Sequence, residues 1–462
     1  MLDAALALSD FLWGWPLIII IILVSVSFSL RLRFFQFTKL GWILKNTLMK
    51  IFDRKVEGEG NLTPFQAAAT ALSATIGVGN IAGVGIAISV GGPGAIFWMW
   101  VVAFFSMINK YAEIVLGLIY RQKDPETGIY RGGGMYYIVN GLGQQWKWLA
   151  FIFSIMFSFM FFVFGFVQSN TLALTLESSF GIPVLTGGII IAIAAGIVLI
   201  GGIKRIGEVA EKIVPVMAVL YAIGALAIIF MNIRLVPSVL ALIVREAFTG
   251  SAAAGGFAGS AAIMAVRQGF ARGIFSNEGG MGSAPAAHAT ATTTHPVQQA
   301  IWGVFEVFLD TIVVCSATAL VIIFTGVLPT GLAGSELTAL AFSTGLGRLG
   351  NAIVTVSIIL FAYTTALTNE FYCETGISYA LGNTAAVIIR YLYILGLVYG
   401  AVGGLQHIWG LADFFMAIVV IINLLVVFAL RKDVWAATYD YFWRDPDAER
   451  TFIWTGAYTE KP

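Results

Sequence analysis

The chain has 462 residues, 59% hydrophobic and 11% charged, with a formal net charge of +1. That much apolar surface cannot be hidden inside one soluble domain, so a soluble enzyme or binding module is excluded and the chain is expected to live in lipid. The near-zero charge gives no ground for nucleic-acid binding, and the two cysteines, Cys315 and Cys373, sit in apolar runs as small hydrophobes and offer no disulfide framework.

Apolar segments long enough to span a bilayer are predicted at about 12–30, 64–90, 93–119, 148–176, 184–202, 213–232, 252–284, 297–327, 349–379, 384–401 and 404–430. The first has no basic stretch before it and no small-residue cleavage site after it, so it reads as a retained helix rather than a signal peptide. Arg31, Arg33, Lys39, Lys45, Lys50, Arg54 and Lys55 follow the first segment. Arg121, Lys123, Arg131 and Lys147 follow the third, and Lys204, Arg205 and Lys212 follow the fifth. By the positive-inside rule these loops are cytoplasmic, Arg234 and Arg245 being the exceptions on the other side. Arg431, Lys432 and Arg444 put the C-terminus inside, and the N-terminus is then outside.

This order divides the chain into an extra N-terminal helix with a basic linker (1–62), a five-helix block (63–232), a second five-helix block (250–430) and a cytoplasmic tail (431–462). The two blocks enter the membrane from opposite sides, the topology of an inverted repeat. The first segment of each block is interrupted by small residues, SATIGVGNIAGVGIA at 73–87 and FSNEGGMGSAP at 275–285. Broken backbone at membrane depth is tolerated only where protein buries it or it lines a watery cavity, so paired breaks point to a binding site near the midplane. The alternative is that Gly77, Gly79, Gly83 and Gly85 merely let helices pack closely. Half-helix N-termini suit a carboxylate and unwound carbonyls suit a small cation or an ammonium, so a zwitterion fits both. No Walker-type phosphate loop occurs, which leaves an ion rather than ATP to drive transport. An intramembrane metalloenzyme using His288 and His295 is disfavoured because seven residues separate them by about 10 Å along a helix. A channel would need a continuous polar path, and a carrier of related amines or organic cations is a further reading.

TPFQAAATALSATIGVGNIAGVGIAI at 63–88, GGPGAIFWMWVVAFFSM at 91–107, GGGMYYI at 132–138 and FSNEGGMGSAPAAHATATTTHPVQQ at 275–299 closely resemble the alanine or glycine:cation symporter family, as does RFFQFT at 33–38. The resemblance implies an all-α polytopic membrane protein with a leucine-transporter-like 5+5 inverted repeat and one extra N-terminal transmembrane helix, about 11 in all. It implies a secondary symporter of the prokaryotic plasma membrane that imports a small neutral amino acid, alanine or glycine, together with Na+ or, in some members, H+, with no other cofactor. An H+-coupled carrier of a small polar amino acid such as serine or glutamine is the alternative.

Carried over position by position, the family pattern sets Thr75, Gly77, Gly79, Asn80, Phe275, Ser276, Asn277 and Met281 around the amino acid, with Gln168 as a polar wall. Gln168 also reads as an interhelical hydrogen-bonding residue next to Asn170. The Na+ site is expected at the carbonyls of Ala74 and Gly77 and the hydroxyls of Thr364 and Thr365, oxygen ligands that suit a hard ion. Threonine hydroxyls can instead bond back to their own helix. The chain departs from the family at 367–374, LTNEFYCE, where Asn369 stands in an aromatic position and Glu370 adds a carboxylate. Intramembrane ionisable groups default to function, so Asn369 is added to the substrate site and Glu370 keeps H+ coupling open. GGGMYYI also lacks an expected proline. Glu374, Glu278, Glu113 and Lys110 are read as structural charge pairs near the membrane faces.

Overall fold

The computed structural model describes residues 8–9, 11–51, 57–249, 258–403, 405–444, 452 and 454–456. Arg54, Lys55 and the start of the segment expected from 252 lie outside the described residues. The chain is built from helices: α1 (Trp15–Arg31), α2 (Leu40–Leu48), α3 (Pro64–Thr75), α4 (Val84–Gly91), α5 (Gly94–Ile119), α6 (Gly134–Leu142), α7 (Lys147–Phe180), α8 (Val184–Leu199) and α9 (Gly202–Met231) form the first half. The second half holds α10 (Val236–Thr249), α11 (Ala258–Asn277), α12 (Ala284–His288), α13 (Pro296–Val307), α14 (Ser316–Phe324), α15 (Gly334–Leu381), α16 (Asn383–Val402), α17 (Leu405–Ala429) and α18 (Arg431–Phe442). Among the described residues seven spans are long and apolar enough to cross a membrane, and α3 with the Gly79–Gly91 stretch makes an eighth, bent by 42°. The apolar helices α1 and α8 are shorter.

Among the described residues the expected apolar runs are helical apart from their breaks, because a continuous hydrophobic stretch in lipid must satisfy its backbone internally. The lipid-facing sides are bare: Leu185, Ile189, Ile193 and Ile197 recur at one-turn spacing on α8 and stay exposed. α10 was not among the expected segments. α15 is longer than expected and is two helices joined at Gly347, whose φ of 61° breaks the ladder. α3 begins where it does because the Thr63 side chain accepts from the Gln66 N–H while Gln66 reaches back to the Thr63 N–H, with Pro64 in the first turn.

At the face that carries the basic loops, a two-stranded hairpin, β1 (Gln122–Lys123) against β2 (Tyr130–Arg131), follows α5. Burial works against its turn residue Asp124, yet the N–H groups of Thr127 and Glu126 and the Arg131 guanidinium 3.0 Å away hold the Asp124 carboxyl below the usual range. Beside it Arg121 is fully buried. Its guanidinium donates to the carbonyls of Ala289 and Ala291 at 2.8 Å, of Glu59 at 2.8 Å and of Gly456 at 2.6 Å. Tyr130 and Trp454 cover its faces. Burial pushes the Arg121 group down to about 10, which still leaves it charged at neutral pH. The chain before α3 and the chain after α12 are thereby tied together, and bridges between Glu59 and Thr293 and between Leu62 and Ala291 extend the tie.

Arg121→Met strands four carbonyls, those of Ala289 and Ala291 buried, and is expected to destabilise the fold by about 3 kcal/mol. Arg121→Lys recovers only part, since an ammonium lacks the planar fork. Thermal unfolding midpoints in detergent check this; a midpoint for Arg121→Met equal to wild type refutes the bracing role.

Candidate functional site

The first break opens at Ile76, whose φ of −76° and ψ of 84° end α3, and the chain resumes as a π-helical turn, Gly79–Gly83, before α4. Asn80 folds back across the gap: its Oδ1 accepts from the Gly77 N–H at 2.8 Å. The second break opens after Asn277, where Glu278 takes a left-handed φ of 56° and the chain runs without helix to α12. The Asn277 Oδ1 accepts from the Gly279 N–H at 2.9 Å, the same device on the other side. The two breaks cross in contact. A Cβ placed on Gly79 would lie 3.0 Å from the Ser276 Cα and 3.3 Å from the Phe275 ring, tighter than ordinary contact, so the missing side chain favours this close approach.

Between them lies Asp310, which the sequence reading did not single out. It sits in a second π-helical stretch, Phe308–Cys315, joining α13 to α14, and is fully buried. Asn80 Nδ2 donates to its Oδ1 at 2.7 Å and to its carbonyl at 3.2 Å. Ser276 Oγ donates to both carboxylate oxygens at 3.1 and 2.9 Å, and Thr311 Oγ1 donates to Oδ2 at 2.7 Å. The Cys315 thiol lies 3.3 Å from both Asn80 Nδ2 and Ser276 Oγ. A carboxylate inside an apolar span, where Glu306 is the other, was the available signal.

The polar chain continues. Asn277 Nδ2 donates to Thr311 Oγ1 at 3.2 Å, and Lys110 Nζ donates to the Asn277 carbonyl at 3.1 Å and pairs with Glu306 at 3.0 Å. His288 joins Glu306 and Gln299, both at 2.8 Å, and Gln299 donates to the Pro64 carbonyl at 3.0 Å. Among the described residues no group of three or more His, Cys, Asp or Glu side chains is placed to hold a metal ion.

Of the expected cation ligands, Thr365 reaches the first break: its hydroxyl donates to the Ser73 carbonyl at 2.8 Å, next to Ala74, and lies where a side chain on Gly77 would project. One turn on, Thr368 bonds the Ser73 hydroxyl at 2.5 Å. Thr364 differs from the expectation. Its hydroxyl bonds back to the Leu360 carbonyl at 2.9 Å and the Phe361 carbonyl at 3.2 Å and faces Met217, because adjacent helical residues point about 100° apart. Thr75 likewise turns to the carbonyls of Leu72 and Ala71.

The remaining wall comes from α7 and α15. Phe164 meets Phe275 edge to face at 5.0 Å, and Phe157 and Phe161 meet Tyr372 of α15. Gln168 follows Phe164 by one turn on that same face and is buried with its Oε1 unpartnered, while Asn170 turns away to the carbonyls of Gly400, Ala401 and Gly403. On α15, Asn369 lies between Thr365 and Tyr372 along one face, 1% exposed, with neither Oδ1 nor Nδ2 bonded. Unpaired buried amides cost free energy and ask for a partner. Met281 is buried in the second break. Glu370 points instead to α16, where Arg390 lies 3.8 Å away and also holds Glu374 at 2.6 Å. Glu113 accepts from Asn423 and Glu278 from Ser283, and both, like Lys110, are buried inside the protein.

A family model described as the sodium:alanine symporter family matches residues 2–452. The sodium/alanine symporter AgcS of Methanococcus maripaludis is 40% identical, covering 93% of this chain and 95% of that protein. The probable sodium/glutamine symporter GlnT of Bacillus subtilis is 43% identical, covering 83% of this chain and 79% of that protein. A solved structure of a manganese transporter from Eremococcus coleocola, bound to an aromatic bis-isothiourea compound, aligns with a TM-score of 0.51 at 12% identity, covering 85% of this chain and 92% of that one; the likeness is one of fold.

Asp310→Ala removes the carboxylate that accepts from Asn80, Ser276 and Thr311, leaves Asn80 the residue's main-chain carbonyl, and is expected to cost about 3 kcal/mol, with Asp310→Asn costing less. Thermal unfolding of the purified variants reads this; equal midpoints for Asp310→Ala and wild type would remove the carboxylate from its bracing role.

Proposed function

Because the chain belongs to the sodium:alanine symporter family and is a multi-pass membrane transporter rather than an enzyme, we propose that it imports a small neutral amino acid such as alanine or glycine, coupled to Na+, by alternating access. The observation that carries this reading is the crossing of the two breaks at Gly79 and Ser276. The Asn80 N–H bonds back to the Gly77 carbonyl at 3.2 Å, and the other first N–H groups of the helix that restarts at Gly79 suit a substrate carboxylate. The oxygens of Asp310 and Ser276, with the nearby Asn80 amide, suit the ammonium or a cation. The coupling ion is assigned to Thr365 and the carbonyls around Ser73, Ala74 and Gly77, with Thr364 outside it. Glu370, engaged by Arg390, offers little support for H+ coupling.

In this reading the eight apolar spans, the shorter α1 and α8, and the α11–α12 pair make eleven crossings. Residues 63–232 and 250–430 form two inverted five-helix repeats, with the N-terminus outside, residues 1–62 as the added helix and linker, and 431–462 as a cytoplasmic tail. The host is a prokaryotic plasma membrane.

A second reading, a larger polar amino acid such as glutamine or serine, is favoured by the unpartnered Asn369 amide facing the same space as Gln168. The test is uptake into proteoliposomes with Na+ and pH gradients imposed separately across a panel of labelled amino acids. Na+-driven alanine accumulation is expected, and accumulation driven by pH alone overturns it.

Thr365→Val keeps the side-chain shape and removes the hydroxyl, so the Na+ concentration for half-maximal uptake is expected to rise about tenfold, a loss of about 1.4 kcal/mol. Thr364→Val is expected to leave it unchanged; equal shifts in both variants overturn the ion-site assignment. Asn369→Trp is expected to sharpen preference for alanine and glycine over glutamine by roughly ten- to two-hundredfold. Coincident competition profiles for that variant and wild type would place Asn369 away from the substrate.

A further inference from the structure

Where α1 and α18 meet, a cavity of about 600 Å³ is lined by Arg31, Arg33, Lys432, Trp435, Tyr439 and Trp443. The Arg31 guanidinium lies over the Trp435 ring at 5.4 Å and the Arg33 guanidinium over Trp443 at 5.4 Å. Stacking fixes a guanidinium while leaving its in-plane N–H groups free to donate. Among the described residues none of Arg31, Arg33 and Lys432 forms an ion pair with a carboxylate. The neighbouring acid Asp433 is engaged by the Tyr120 hydroxyl at 2.9 Å. Arg33 and Phe34 hold left-handed φ values of 56° and 50°, a costly conformation for residues with side chains, and this turn brings Arg33 beside α18.

The cavity lies at one defined depth. α1 and α17 are tied at one end by the Trp13 indole donating to the Asp413 carbonyl at 2.9 Å, and at the other by Phe28 against Trp435 just beyond α17. Both helices end at the cavity, at Arg31 and Ala429, and both carry bare apolar side chains below it, Leu23 and Leu30 on one and Leu425 on the other. Cations gathered at the water-side ends of two lipid-facing helices, with tryptophans among them, match a phosphate headgroup whose acyl chains run down those helices.

We propose that this cavity binds the headgroup of an anionic phospholipid, with Arg31, Arg33 and Lys432 holding the phosphate and Trp435 and Trp443 seating the guanidinium groups. The site is independent of the transport site, and it fastens α18 and the end of α1 to the bilayer surface.

The test uses the full chain in nanodiscs of phosphatidylcholine with or without phosphatidylglycerol, and counts retained phosphatidylglycerol by native mass spectrometry. Arg33→Gln with Lys432→Gln is expected to weaken retention by about fivefold for each cation removed. Arg33→Lys with Lys432→Arg is expected to keep it, as is the control Lys204→Gln with Arg205→Gln in another basic loop. Retention in the neutralised variant equal to wild type overturns the proposal. So does displacement of the lipid by inorganic phosphate, which would mark a site for a free anion. Monodisperse elution with unchanged unfolding midpoints establishes that these exposed substitutions leave the fold intact.

Discussion

A carboxylate cannot be left unpaired in the middle of a membrane protein, and the organisation of the centre follows from that one constraint at Asp310. Its oxygens accept from Asn80 on one broken span and Ser276 on the other, so both unwound segments are positioned by the same group. The amides that bridge the gaps, Asn80 to Gly77 and Asn277 to Gly279, are held in turn by this cluster. Both Asn80 and Asp310 occupy π-helical turns, where an extra residue per turn lets a side chain swing into the gap. Lys110, Glu306 and His288 then carry the bonding outward to Gln299 and the first turn of α3.

Buried charge of this kind is weak evidence for stability, because desolvation offsets much of the attraction. Its effect is to select one arrangement, since donors from separate elements converge on Asp310 and a shifted helix would strand several groups at once. Arg121 does the same at the basic-loop face with backbone carbonyls in place of side chains. The two clusters differ in what they leave open. Around Arg121 every partner is protein, whereas around the breaks Gln168 and Asn369 keep amide atoms unbonded.

The breaks were legible in the sequence because glycine clusters inside a membrane-grade run have few other uses, and both helices end within a few residues of where the runs placed them. Helix order was legible for the same reason. Asp310 belongs to no glycine break and to none of the motifs that carry the resemblance; its signal is that it and Glu306 are carboxylates inside a 29-residue apolar span. Thr364 and Thr365 read as a pair in one dimension, yet a 3.6-residue turn lets only one face the break. Arg121 counted only as a charge that orients a loop; its four carbonyl partners come from stretches remote in sequence, which composition does not encode. α10 was missed because its short length and mixed character resemble a connecting loop.

The Cys315 thiol lies against both Asn80 and Ser276 and is 2% exposed. In the arrangement described it is buried, and the proposed alternating access, by parting the two broken spans, would expose it to water. Its reactivity toward alkylating reagents is therefore a native gauge of how far the cleft has opened. The chain carries that gauge without any introduced label, and the other cysteine, Cys373, is a buried internal reference on a separate helix.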